Sequence, residues 1–129
     1  MVKTGILNPR IVSLLCRVRH TNTQVIADRG FPFWPTIETV DISLVDDVPT
    51  VLQVLEAIRP NFVIGEAYMA SEFLDANTDA TQDRFSRALD GISVTYEPHI
   101  QFKTRVPAST GLIRTGDTVQ YANMILVSA

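Results

Sequence analysis

Few side chains in this sequence could carry chemistry, and the histidines are the most informative of them. The 129 residues include only two histidines, His20 and His99, and one cysteine, Cys16. No His or Cys cluster has metal-ligand spacing, and neither a glycine-rich phosphate loop nor a nucleophile-elbow serine is present. Zinc, dinucleotide-dependent redox, phosphoryl-transfer and acyl-transfer chemistry are therefore disfavoured. General acid–base chemistry remains, since an imidazole titrates at about pH 6.5.

His20 and Asp28 form the first candidate pair. His20 follows a predicted helix, and Asp28 ends the next predicted strand. If that strand is straight, the two side chains lie roughly 15 to 25 Å apart, so contact within one chain is not assured. On spacing alone, a histidine after a helix is more often a cap or surface residue, and an aspartate after a strand is more often a turn former.

The second candidate group is Tyr121-Ala122-Asn123, beside the last predicted strand. A tyrosine offers a flat apolar face with a hydroxyl at its edge, and an asparagine offers both a donor and an acceptor. Sugars present the matching surface, with apolar C–H patches and hydroxyls that donate and accept. The alternative is that these residues have only structural roles, with Tyr121 in the core, Asn123 in a turn and His99 at the start of a helix.

A third feature is the loop Gly30-Phe31-Pro32-Phe33-Trp34-Pro35, which carries three aromatic residues among two prolines. Three exposed aromatic side chains in one loop are unfavourable in water. We therefore expect Phe31, Phe33 and Trp34 to line a ligand pocket or to pack against another subunit.

Helices and strands alternate along the chain. Helices are predicted over 9–19, 49–58, 71–89 (one or two helices) and 98–105, and strands over 24–27, 36–44, 61–69, 92–96, 111–114 and 123–127. This alternation predicts an α/β fold over residues 1–129, a single compact layered domain with a mostly parallel central sheet flanked by helices. Asp28 would lie at the carboxyl end of a strand, where ligands gather in such sheets. Cys16 falls in an apolar helical stretch and is expected to be buried.

Composition argues against several partners. The net charge of −3 and the scattered basic residues give no surface suited to nucleic acid or an anionic membrane. No apolar run approaches the ~18 to 20 residues needed to span a bilayer, and residues 1–4 lack the pattern of a signal peptide. A lone cysteine gives no internal disulfide. The sequence therefore predicts a cytoplasmic location.

Short motifs occur in order along nearly the whole chain: Lys3-Thr4-Gly5-Ile6-Leu7-Asn8, His20-Thr21-Asn22-Thr23, Asp28-Arg29-Gly30-Phe31-Pro32, Val48-Pro49-Thr50, Gln53-Val54-Leu55, Glu66-Ala67, His99-Ile100-Gln101-Phe102-Lys103, Ile113-Arg114-Thr115-Gly116-Asp117 and Tyr121-Ala122-Asn123-Met124-Ile125-Leu126. Taken together, these motifs resemble those of the D-ribose pyranase and L-fucose mutarotase family.

The resemblance implies a cofactor-free isomerase with no bound metal, which interconverts pyranose and furanose forms, or anomers, of a free aldose such as D-ribose or L-fucose. It implies that His20 is the proton donor and that the sugar is bound by Asp28, His99, Tyr121, Ala122 and Asn123. It also implies a homo-oligomer, a ring or a decamer of stacked rings, with the sugar sites between neighbouring subunits.

Some positions depart from the family pattern and leave the identity of the sugar open: Arg19, Asn22, Arg29 and Trp34. Two other functions also remain open. One is a non-catalytic sugar-binding or transport-accessory protein on the same scaffold. The other is a structural oligomeric module whose aromatic loop serves only to build a ring.

Overall fold

The computed structural model describes residues 1–129, and helices and strands alternate through it as expected. The helices are α1 (Pro9–Arg17), α2 (Val51–Ile58), α3 (Glu72–Ala76), α4 (Asp79–Ala88) and α5 (His99–Arg105), with 3₁₀ turns at Arg59–Asn61 and Val106–Ala108. The strands are β1 (Thr23–Ala27), β2 (Glu38–Asp41), β3 (Ile64–Ala70), β4 (Ser93–Glu97), β5 (Gly111–Arg114) and β6 (Met124–Ser128). None of the helices is long and apolar enough to cross a lipid bilayer.

The six strands form one sheet in the order β2-β5-β1-β6-β3-β4. The pairs β2–β5, β5–β1 and β3–β4 are parallel, whereas β6 is antiparallel to both of its neighbours, β1 and β3. The prediction of a mostly parallel sheet is therefore confirmed. Because β6 runs the opposite way, its first residues lie beside the carboxyl ends of β1 and β3.

Helices cover both faces of the sheet, and each face has its own apolar core. The larger cluster joins β1, β2, β3, β5 and β6 to α1, α2, α3 and α4. The smaller cluster packs β1, β5 and β6 against α5 and the aromatic loop through Phe31, Phe102 and Val106. Alternation along β1 explains this division, because Ile26 faces the larger cluster while Val25 and Ala27 face the smaller one.

The helix starts follow from the local sequence. The Asn8 side chain accepts hydrogen bonds from the N–H groups of Arg10 and Ile11, and Pro9 occupies the first helical position of α1. At α2, Thr50 and Gln53 form a reciprocal capping box.

Helix α1 and strand β2 are among the elements that are shorter than the sequence predicts. Helix α1 ends at Arg17, and Val18 is already extended, because Arg19 and Asn22 begin a turn in which the Asn22 side chain accepts from the Arg19 N–H at 2.9 Å. Strand β2 covers four residues, not the nine expected. It is an edge strand whose only partner, β5, also has four residues, so the ladder cannot extend further.

The prediction that Cys16 is buried is wrong, since its side chain is exposed. The buried residues of α1 are Ile11 and Leu14. A residue two positions after Leu14 points roughly 200° away around the helix, on the side that faces solvent.

Gly116 lies where two loops approach closely. A Cβ atom at this position would lie 2.3 Å from the carbonyl oxygen of Val45 and 2.9 Å from that of Val48. The Gly116 carbonyl also accepts a hydrogen bond of 2.7 Å from the Asp47 N–H. The segment between β2 and α2 can therefore pack on the end of β5 only if this residue has no side chain.

We expect Gly116→Ala to lower the free energy of unfolding by about 1 to 3 kcal/mol, because backbone atoms must move to admit the methyl group. Urea denaturation measures this. Gly30→Ala is the control, since its Cβ would meet only the Asp28 side chain at an ordinary 3.6 Å. Equal stability of the two variants would contradict the assignment.

Candidate functional site

An open cleft of about 310 Å³ lies at the carboxyl end of β1, where β6 begins. Its lining residues come from the loop after β1, the start of α5 and the segment before β6: Asp28, Gly30, Phe31, Pro32, His99, Gln120, Tyr121 and Asn123. The cleft therefore gathers residues from three distant parts of the chain, as expected for the carboxyl edge of such a sheet.

Asp28 and Asn123 hold each other in place at the base of the cleft. The Asn123 side-chain oxygen accepts a 2.7 Å hydrogen bond from the Asp28 backbone N–H, and its amide nitrogen donates to Asp28 Oδ2 at 2.9 Å. The other carboxylate oxygen, Oδ1, accepts from the Gly30 N–H at 2.9 Å. The Asp28 carboxylate is thereby fixed in one orientation.

The environment of Asp28 acts on its pKa in opposing directions. Burial raises the pKa of Asp28, and the hydrogen bonds from Asn123, Gly30 and Phe31 only partly offset this. The nearby Asp117 carboxylate raises it further. Because this pKa lies above that of the unfolded chain, ionisation of Asp28 costs stability at higher pH. The cost begins to fall as the pH drops through the folded-state pKa, and it is gone below the unfolded-state pKa.

His99 lies among aromatic rings on one wall of the cleft. Its imidazole stacks on Phe102 at 5.9 Å and meets the rings of Phe31 and Tyr121 edge-on, at 6.1 and 5.1 Å between centroids. Burial, and secondarily the Lys103 ammonium, lower the pKa of His99, while the Glu72 and Asp28 carboxylates oppose the shift. The neutral imidazole is therefore favoured at neutral pH. Its Nδ1 atom is buried and has no hydrogen-bond partner in the chain.

Tyr121 has an uncommon backbone conformation, with φ of 56°. Non-glycine residues adopt this left-handed region at a cost, and such residues cluster at functional sites. Here the conformation turns the chain just before β6, so that the half-buried Tyr121 ring stands against His99 while Asn123 reaches Asp28. Tyr121 and Asn123 thus both line the cleft, although they are only two positions apart in the chain.

His20 lies at the amino end of β1, whereas the cleft lies at the carboxyl end of that strand. It is an exposed residue of the turn before β1, and the next residue, Thr21, donates its N–H to the carbonyl of Ser128 at the end of β6. Strand β1 has five residues and so separates this turn from Asp28 by roughly 16 Å. Within one chain, His20 therefore does not join the cleft.

A family model described as the RbsD / FucU transport protein family matches residues 1–129. The chain belongs to this family. Among the relatives, the D-ribose pyranase of Geobacillus kaustophilus is 39% identical over 128 residues, which cover 99% of this chain and 93% of that protein. The D-ribose pyranase of Chromobacterium violaceum is 39% identical over 129 residues, covering 99% and 97%.

Two solved structures share this fold. Bacillus subtilis RbsD complexed with D-ribose matches with a TM-score of 0.93 and 27% identity, over 100% of this chain and 98% of that chain. The fucose mutarotase of Streptococcus pneumoniae, in complex with L-fucose, matches with a TM-score of 0.83 over 99% and 98% of the two chains. At 18% identity, the second likeness shows the fold alone.

Four of the six predicted site residues meet in the cleft of this family member: Asp28, His99, Tyr121 and Asn123. Ala122 lies between two of them, but its side chain is buried in the larger core cluster, so only its backbone could contact a ligand. Two residues of the aromatic loop have different environments: Phe31 is buried and lines the cleft, whereas Phe33 is 71% exposed.

Sequence reasoning did not single out Gly30, Pro32 or Gln120 as lining residues. Gln120 precedes Tyr121 in the chain, and Gly30 and Pro32 flank Phe31, which was expected to line a pocket or an interface. This adjacency was the available signal. No group of three His, Cys, Asp or Glu side chains is arranged to hold a metal ion.

We expect Asn123→Ala to raise the pKa of Asp28 further, because the hydrogen bond from Asn123 favours the ionised carboxylate. Titration of the carboxyl carbon by NMR measures this. Gln120→Ala is the matched control, since Gln120 lines the same cleft but its side chain makes no hydrogen bond to Asp28. An Asp28 pKa that is unaltered by Asn123→Ala would show that the reciprocal hydrogen bonds do not control this carboxylate.

Proposed function

We propose that this protein is an isomerase that interconverts cyclic forms of a free aldose, without a cofactor. D-ribose and L-fucose are the first sugars to test, because the relatives and solved structures carry these names. The observation that carries the proposal is the convergence of Asp28, His99, Tyr121 and Asn123 on one cleft. A cytoplasmic location is part of the proposal.

The cleft suits an uncharged polyhydroxyl ligand. The Tyr121 and Phe31 rings offer apolar surface to sugar C–H groups. The Asp28 carboxylate accepts hydrogen bonds, and the partly exposed imidazole of His99 lines the same cleft.

Ring interconversion needs two proton transfers. A cyclic aldose is a hemiacetal, and opening it requires a proton on the ring oxygen and the loss of one from the anomeric hydroxyl. Closure through another hydroxyl exchanges pyranose for furanose, and closure on the other carbonyl face exchanges anomers. In the proposal, His20 donates the proton to the ring oxygen and the anomeric hydroxyl releases its proton to water in the open cleft. Asp28, His99, Tyr121 and Asn123 hold the sugar, with the Ala122 backbone between them. General acid–base catalysis supplies about 10²- to 10⁴-fold.

The location of His20 means that this chemistry requires a second copy of the chain. His20 lies at the amino edge of β1 and the cleft at the carboxyl edge, so the contact must join unlike surfaces of two protomers. Such heterologous contacts form closed rings when the rotation between neighbours closes. The proposal therefore includes a ring, with each sugar site shared by two neighbouring subunits.

Both edges carry the exposed apolar residues that such a contact would bury. Beside the cleft, Phe33 is 71% exposed and Ile100 is 74% exposed. At the other edge, a cleft of about 500 Å³ is lined by eight hydrophobic residues, together with Ser128, which is hydrogen-bonded to the backbone of Thr21 and Asn22. Apolar surface next to the turn of His20 favours an interface there.

We expect His20→Asn to abolish acceleration of ring exchange while sugar binding is retained, because the variant lacks the proton donor but keeps the cleft. Saturation-transfer NMR between the ring forms of D-ribose and L-fucose measures exchange, and titration calorimetry measures binding. His99→Gln is the comparison, and it should weaken binding more than turnover. Full exchange activity in His20→Asn would refute the assignment.

The same experiment separates the two other functions. A sugar-binding protein without catalysis would bind sugar saturably but leave the exchange rate at its uncatalysed value. A structural module would bind no sugar. Native mass spectrometry tests the ring, and a wild-type protein that stays monomeric at assay concentration while catalysing exchange would contradict the shared site.

A further inference from the structure

Helix α5 lacks a cap of its own. It begins at His99, and the preceding residue, Pro98, has no side chain that can accept a hydrogen bond. The first N–H groups of a helix have no partner within the helix and need an acceptor from elsewhere. His99 is the first residue of this uncapped helix, so its orientation depends on an acceptor from another part of the chain.

Glu72 supplies that acceptor from a distant position. Its two carboxylate oxygens accept from the His99 backbone N–H at 2.8 and 3.1 Å. Glu72 begins α3 directly after β3, and the neighbouring Ser71 N–H donates to the Glu97 carbonyl at 2.8 Å. This last bond keeps the ends of β3 and β4 together, so the Glu72 carboxylate stays beside the start of α5.

We infer that Glu72 is a positioning residue for His99, fixing the first turn of α5 and placing a negative charge beside the imidazole that faces the cleft. The inference rests on the proposed function to the extent that His99 binds the sugar. Glu72 itself is not among the residues that line the cleft. Its effect on the ligand therefore acts through His99.

The charges that face His99 come from three elements. Glu72 lies on α3, Asp28 follows β1 and Lys103 lies on α5 itself, with the Tyr121 ring packed against the imidazole from the segment before β6. The two carboxylates raise the pKa of His99, whereas burial and Lys103 lower it. Removal of the Glu72 charge should therefore move this pKa further down.

A second set of contacts holds the carboxyl end of α5. A change at Glu72 can therefore alter His99 without detaching the whole helix. Arg105 forms a two-point ion pair with the buried Glu97, at 2.6 and 3.0 Å, and its guanidinium stacks over the Tyr68 ring at 3.9 Å. Helix α5 should therefore remain docked when Glu72 is changed.

The test compares two substitutions of Glu72. Glu72→Gln keeps an oxygen that can accept from the His99 N–H but removes the charge, and Glu72→Ala removes both. Asp75→Asn is the matched control, because Asp75 is an exposed acid on the same helix. Glu97→Gln is the stability control, since it weakens the far anchor of α5.

Two readouts are measured on the full-length protein. NMR titration follows the imidazoles, of which the chain has only two, and the His20→Asn variant assigns them. Binding and turnover of D-ribose are measured separately. We expect both Glu72 variants to lower the pKa of His99. We expect Glu72→Ala to weaken D-ribose binding about tenfold with a smaller change in kcat, because a displaced binding group costs affinity, and Glu72→Gln to recover most of that loss.

The inference is overturned if Glu72→Ala leaves the His99 pKa and the D-ribose affinity as they are in Asp75→Asn. It is also overturned if Glu72→Ala only lowers thermal stability, as expected for Glu97→Gln, without altering either readout. Failure of the wild-type protein to bind any aldose would overturn the proposed function instead. In that case the imidazole titration still decides whether Glu72 controls His99.

Discussion

The reciprocal hydrogen bonds between Asp28 and Asn123 join two strands whose residues lie 95 positions apart, and the candidate site depends on this junction. It exists because β6 enters the sheet antiparallel between β1 and β3, so that its first residues meet the carboxyl end of β1. Asn123 then fixes Asp28, and the left-handed backbone at Tyr121 turns its ring towards His99. If β6 ran parallel to β1, its first residues would lie beside the amino end of β1, far from Asp28.

The same sheet separates the proposed proton donor from the proposed binding residues. His20 precedes β1 and Asp28 follows it, so the length of a strand keeps the two apart within each chain. In the proposal, isomerisation is therefore a property of an assembly, in which the amino end of β1 in one protomer meets the cleft of the next. The sharing of the site would couple catalysis to assembly, since a monomer would carry the donor and the binding groups but could not bring them together.

Much of this arrangement could be predicted from the sequence, and the remainder could not for physical reasons. Apolar periodicity predicted the helices, and the placement of Asp28 at the carboxyl end of a strand indicated where the cleft lies. The length of β2 depended on its partner in space, and the exposure of Cys16 depended on which side of α1 faces the sheet. The contact between Glu72 and His99 joins residues 27 positions apart and leaves no local pattern.

Mixing two inactive variants tests the shared site most directly. His20→Asn removes the donor and Asp28→Asn impairs the binding cleft, so each homo-oligomer should be unable to accelerate exchange between ring forms of D-ribose. In randomly mixed rings, about a quarter of the interfaces would pair an intact His20 with an intact Asp28. The account predicts that co-refolded mixtures recover about that share of wild-type activity. A mixture that forms hetero-oligomers by native mass spectrometry yet shows no more activity than the separate variants would contradict it.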